Sequence, residues 1–262
     1  ACKNLDRPIQ CRAFGKATGA KLTLLSSVKN HTDAYKAAYD ATLQEREQYL
    51  DAQANALRGE GFEVDYDVRP GFIADVTNDF TDEHSVDIVI TSTRGKSGNA
   101  HWLTGGVASK LMRLITTPVL LVQHNGDAPS MKNLLLTLDG SIFSERVIPY
   151  ARALAQAFDS TLTLLSVPEV PEVANYRAPS AAYQSIRREA EENMDDFLEA
   201  VAEALRADGI DVQTITEGSN PVQTIVEVGE KTDTDLVMMT SRGRGGLDLL
   251  FMGSVAERVV ED

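Results

Sequence analysis

Cysteine is almost missing from this chain: of 262 residues only Cys2 and Cys11 are cysteine, both close to the start. A disulfide framework is thereby excluded, and because no Cys/His cluster has metal-ligand spacing, structural zinc is not expected either. Long hydrophobic runs are missing too. No stretch approaches the roughly 18–20 uncharged apolar residues that a membrane span requires, and Ala1-Cys2-Lys3-Asn4 opens no apolar signal core. A soluble, cytoplasmic protein without membrane association is therefore expected. Positive charge is scarce: 25 Lys and Arg face 39 Asp and Glu, for a net charge of −14 and a pI near 4.7. Neutralising the phosphates of a nucleic acid needs a basic face, so nucleic-acid binding is not expected. The plainest reading of the acidity is solubility. Aromatics make up only 6%, yet the 43% apolar content suffices for a packed core and excludes global disorder. The length suits one large domain or two of about 130 residues.

What the chain does contain is an internal repeat. Shifted by 148, Ala54, Ala56, Leu57, Arg58, Gly61 and Val64 fall on Ala202, Ala204, Leu205, Arg206, Gly209 and Val212. Asp87, Val89, Arg94, Gly95, Gly98, Gly105, Val107 and Ala108 fall on Asp235, Val237, Arg242, Gly243, Gly246, Gly253, Val255 and Ala256. Nearer the front the shift is 140, and Leu22-Thr23-Leu24-Leu25-Ser26 recurs as Leu162-Thr163-Leu164-Leu165-Ser166. The second copy thus has eight extra residues, within Val167 to Ser180, where Pro168, Pro171 and Pro179 read as a loop. The polar, turn-forming stretch from His124 to Ser130 reads as a linker. Two domains follow, 1–124 and 131–262.

Each copy alternates strands and helices. In the second, Asn133–Leu138, Thr161–Val167, Asp211–Thr216 and Asp235–Met239 read as strands. Ser144–Phe158, Ala182–Ala207, Pro221–Gly229 and the stretch from Ser254 read as helices, the long one closed by Asp208-Gly209. Short apolar strands separated by helices imply a parallel sheet covered on both faces, with right-handed crossovers. The fold class is α/β, a doubly wound unit used twice. In the first copy Val107–Leu114 leads to a closing strand at Thr117–Val122 whose counterpart would follow Asp262. Conversely, the first copy has no counterpart of Leu134–Gly140. One strand is therefore expected to be missing at each end, leaving a gap in the middle of the first sheet, and the sequence reads as incomplete; the alternative is a strand borrowed from another subunit.

The densest chemical signal is Thr240-Ser-Arg-Gly-Arg-Gly-Gly246, followed by Gly253-Ser254 opening a helix. Glycines let backbone N–H groups approach an anion closely, and a helix N-terminus adds unpaired N–H groups and the positive end of its dipole. The same residues also suit a turn with a helix cap at Ser254. Position favours a ligand, because open parallel sheets bind ligands outside the C-terminal strand ends where strand order reverses. Asp139, after the first strand of this copy, would face the loop if strands one and four are neighbours. It reads either as an acceptor for an exocyclic amine or sugar hydroxyl, or as an ordinary capping Asp.

Together Leu134-Leu-Leu-Thr-Leu-Asp139-Gly-Ser141, Leu162-Thr-Leu-Leu-Ser-Val167 and Thr240-Ser-Arg-Gly-Arg-Gly-Gly246 with Gly253-Ser-Val-Ala-Glu-Arg258 resemble the universal stress proteins, in the tandem two-domain form. The resemblance covers essentially the whole chain. It implies two Rossmann-like, doubly wound parallel-sheet domains in tandem, each of strand order 3-2-1-4-5. It further implies that an ATP-binding member carries Gly, two residues, Gly, nine residues, Gly, then Ser or Thr. Carried onto this sequence, Asp139 and Val167 hold adenine, with Thr137 and Leu138 lining it. Met239, Thr240, Arg242, Gly243 and Arg244 border the ribose and phosphates, and Gly253, Ser254 and Val255 offer phosphate-binding amides and a hydroxyl. Thr240 stands where the family has its first Gly, and its Cβ narrows that turn. The first copy departs further, with Ser92 at that Gly and Gly106 in place of the Ser.

His31, His84, His101 and His124 have no matching His in the other copy and read as surface or loop residues. No nucleophile–base–orienter pattern, Gly-x-Ser-x-Gly elbow or complete P-loop occurs. The expectation is a stress-response protein that binds ATP, with Mg²⁺, in its second domain and acts as a nucleotide-dependent sensor or regulator with protein partners. The alternative is an interaction module without nucleotide, built as an intramolecular pseudo-dimer. Slow ATP hydrolysis is the third reading. Monomer and homodimer both stay open.

Overall fold

The computed structural model describes residues 9–29, 36–92, 106–122, 130–168, 181–241 and 253–261. The chain divides into two compact units, 1–128 and 129–262. The first contains α1 (Ile9–Thr18), β1 (Leu22–Val28), α2 (Lys36–Gly59), β2 (Val64–Pro70), α3 (Ile73–Glu83), β3 (Val89–Ser92), α4 (Val107–Leu114) and β4 (Val119–Val122). The second contains β5 (Asn133–Thr137), a 3₁₀ turn (Ser144–Val147), α5 (Ile148–Phe158), β6 (Thr161–Ser166), α6 (Ala181–Ala207), β7 (Asp211–Thr216), α7 (Pro221–Lys231), β8 (Leu236–Met238) and α8 (Ser254–Glu261).

In the second unit one parallel sheet runs β7-β6-β5-β8. Strand order therefore reverses between β5 and β8, as the doubly wound pattern requires. Leu134, Leu135 and Leu136 of the central strand are at most 1% exposed, because neighbours flank β5 on both edges and helices cover both faces. Leu135 and Leu165 pack with Ile225 and Val228 of α7, building the core on one face.

The repeated residues have repeated jobs. Arg58 and Arg206, each in the last turn of its long helix, donate Nε and Nη2 to the carbonyls of Val64 and Val212, pinning helix to following strand. Gly61 and Gly209 take φ of +93° and +82°. The next amides, of Phe62 and Ile210, then reach back to Leu57 and Leu205, closing each helix.

The first unit differs in its sheet. Its strands pair as β1-β2 and β3-β4, both parallel, in two separate two-stranded sheets. The place between β1 and β3, which β5 fills between β6 and β8 in the second unit, holds no strand among the described residues. The pentapeptide Leu-Thr-Leu-Leu-Ser measures the effect. In β6 all five residues, 162–166, are buried, whereas in β1 none of residues 22–26 is.

Candidate functional site

The site assembles at the C-terminal ends of β5, β6 and β8 in the second unit. The alternation of a strand directs Leu135 and Thr137 to one face, and the cluster around Leu135 and Leu165 lies on that face. Val167 just beyond β6, Met239 just beyond β8 and Val255 in the first turn of α8 all pack on this cluster. Three of the expected site residues, from three distant segments, thus share one apolar floor. Ile215 of β7 joins them; its only sequence signal was membership of an alternating strand.

Just beyond the end of β5 Gly140 adopts φ +75°, and Asp139 Oδ1 accepts the Ser141 N–H at 2.9 Å. The resulting Asx turn sends the chain into the 3₁₀ turn, where Ser144 N–H donates to Ser141 Oγ. Asp139 therefore shapes the turn into α5. Thr137 is half-buried at the end of β5. Leu138 is 2% exposed and gives its amide to Leu165 O, so its contribution there is structural.

On the opposite side Thr240 is half-buried and Ser254 exposed at the start of α8. The Gly253 amide donates to Ser241 O at 2.7 Å, drawing together the two ends of the intervening glycine-rich segment. That amide is engaged within the chain, whereas the sequence pattern marks it for phosphate. Arg242, Gly243 and Arg244 lie outside the described residues. An open groove of about 380 Å³ between α7 and α8, lined by Asn220, Val222, Gln223, Val226, Glu227 and Arg258, shares no residue with this constellation.

The opposite, N-terminal end of the same strands is tied by Asp235. Its Oδ2 accepts from Ser130 Oγ at 2.7 Å, Lys132 N at 2.8 Å and Asn133 N at 3.0 Å. Burial opposes ionisation of this carboxyl, and the bonds from Asn133, Ser130 and Lys132 outweigh it, holding its pKa below the ordinary carboxylate value. This clamp sets the register of β5 against β8, and hence where Asp139 and Met239 stand.

In the first unit Gly106 precedes α4 and makes no side-chain cap, as expected where the second copy has Ser254. Near the corresponding strand ends, Phe72 is 61% exposed with the Lys29 ammonium 5.6 Å from its ring centroid. Among the described residues no helix is long and apolar enough to cross a membrane.

The profile of the universal stress protein family matches residues 10–123 and again 131–262. A universal stress protein of Mycobacterium tuberculosis is 27% identical over 181 residues, 68% of this chain, and the match spans 59% of that relative's length. One from Thermus aquaticus is 30% identical over 134 residues, 50% of this chain and 92% of the relative. Among solved structures, a universal stress protein from Archaeoglobus fulgidus has a TM-score of 0.71 at 18% identity, covering 97% of this chain and 86% of that one. That likeness concerns the fold.

Proposed function

The chain belongs to the universal stress protein family, as two of its domains in tandem, and from that premise we propose that its second domain binds ATP and acts as a nucleotide-dependent sensor or regulator. The observation that supports this reading is the shared floor of Val167, Met239 and Val255, the last in the first turn of α8, with Asp139 just beyond the end of the adjoining strand β5. An apolar floor suits a purine face. A carboxylate suits an exocyclic amine and ribose hydroxyls, and a helix N-terminus suits phosphate. Regulation then needs nucleotide to favour one conformation or partner contact over another.

Titration calorimetry of the 262-residue chain with ATP, with and without Mg²⁺, tests the assignment. Asp139→Ala is expected to weaken binding at least tenfold, and an unchanged affinity would remove this pocket. The Gly253–Ser241 bond favours a second reading, an interaction module without nucleotide. Absence of both ATP binding and an ATP-dependent thermal shift would put that reading first.

A further inference from the structure

The outward side of α5 carries groups that its own domain leaves unused. Arg146, Pro149, Tyr150 and Ala153 are exposed and spaced three or four apart, and exposed Ile142 stands four residues before Arg146 in the turn that leads in. That spacing gathers them on one side of the 3₁₀ turn and helix. Ala151 and Ala155, 0% and 2% exposed, mark the side turned to the core. At about 100° per residue the two sides lie opposite each other, so neither edge of the sheet reaches the outward one.

A surface helix ordinarily turns a polar side to water. This one is apolar there: Ile142 is 72% exposed and Tyr150 43%, with Pro149 and Ala153 in the same row. Its two charges, Glu145 and Arg146, are neighbours of opposite sign, and neither has an ion-pair partner among the described residues. Arg146 lies instead over the ring of Phe143, 5.3 Å from its centroid. The segment is also held in place. Ser144 N–H donates to Ser141 Oγ and the Ser144 hydroxyl to Ser141 O, so presenting these groups costs little further ordering.

We propose that this side of α5 is a contact surface for a second copy of the same chain, the two helices lying antiparallel about a two-fold axis between Glu145 and Arg146. A two-fold contact sets residue i against j and j against i, so the surface must complement itself. This one does. Glu145 faces the partner's Arg146 and Arg146 faces the partner's Glu145, while Ile142 meets the partner's Pro149 and Tyr150. Two charges without a partner in one copy are thereby paired twice, between apolar contacts. An unrelated protein would have to supply the opposite order of charges, whereas a second copy supplies it automatically. One helix side is a small contact, below the roughly 1,200 Å² at which standard interfaces begin, so the dimer is weak and exchanges readily. The net charge of −14 repels copies at a distance, but at 0.15 M salt that repulsion is screened beyond about 8 Å and the contact pairs decide.

Analytical ultracentrifugation of the 262-residue chain at physiological salt, up to about 1 mM, tests the contact with two charge reversals; the parent is expected to dimerise at roughly 100 μM. Glu145→Arg sets cation against cation across the axis and Arg146→Glu sets anion against anion, so each alone should weaken the dimer at least tenfold. An equimolar mixture of the two variants restores both opposite pairs and should associate within threefold of the parent. Both positions are exposed, and circular dichroism checks that each variant keeps its fold. A parent that stays monomeric at those concentrations, single variants that dimerise as well as the parent, or a mixture no better than either variant alone would overturn the proposal.

Discussion

Gly218 and Gly209 have nearly the same backbone, φ +87° and +82°, but different surroundings. A Cβ at Gly209 would meet nothing within 4 Å, whereas one at Gly218 would stand 2.1 Å from Thr224 Oγ1. Gly209→Ala should therefore show the conformational cost alone, about 1–2 kcal/mol. Gly218→Ala should add the cost of overpacking, about 1–3 kcal/mol more. Urea unfolding of both variants measures the difference, and equal losses would mean that Thr224 turns aside freely. Gly209 stood out in the sequence because it follows a long helical pattern and is repeated as Gly61. Gly218 carried no such mark, since its crowding by Thr224 arises only once α7 is packed beside the end of β7. Asp139 was legible as a residue type at a strand end. That it also forms the Asx turn with Ser141 depended on Gly140 taking φ +75°.

Strands and helices were more legible than their ends. The stretch from Ser144 to Phe158 has helical spacing throughout, yet its first turn is 3₁₀ and the α-helix begins at Ile148. Hydrogen bonds of Ser141 and Ser144 take the place of helical ones there. The strand at 161–166 was clear from its apolar run, whereas the tie of α6 to β7 through Arg206 and Val212 was visible only as two identities in the repeat. Asp235 ties β5 to β8, and its effect on stability has a definite sign with pH. A carboxyl whose folded pKa lies below its unfolded value of about 3.9 contributes fully above that value and loses its contribution as pH falls through the folded one. Asp235→Asn should then cost about 1–3 kcal/mol at pH 7, the worth of bonds to a charged group. Denaturant midpoints of variant and parent should converge as pH drops below about 4. A gap that does not shrink at all from pH 5 down to the acid unfolding of the parent would show that the carboxylate charge is not what holds the β5 amides.

Over the whole chain the charge is unevenly shared. Residues 1–128 carry 14 Lys and Arg against 16 Asp and Glu, and residues 129–262 carry 11 against 23, so the halves hold −2 and −12. The half assigned the nucleotide is the strongly acidic one. Long-range repulsion should slow the approach of an anionic nucleotide, and salt should relieve it as the screening length falls from about 30 Å at 0.01 M to about 10 Å at 0.1 M. Stopped-flow association of ATP is thus expected to accelerate severalfold between those concentrations. A rate that falls instead would mean that local positive charge outweighs the net charge of this half. The tandem repeat, the alternation of strands and helices and the parallel sheet were determined by sequence, because hydrophobic periodicity and repeated identities are local and survive without knowledge of neighbours. Which residues meet was decided in three dimensions. Val167, Met239 and Val255 share a floor because the ends of β6 and β8 meet the start of α8. The same pentapeptide is buried in β6 and mostly half-buried in β1, because burial belongs to whatever lies alongside a strand.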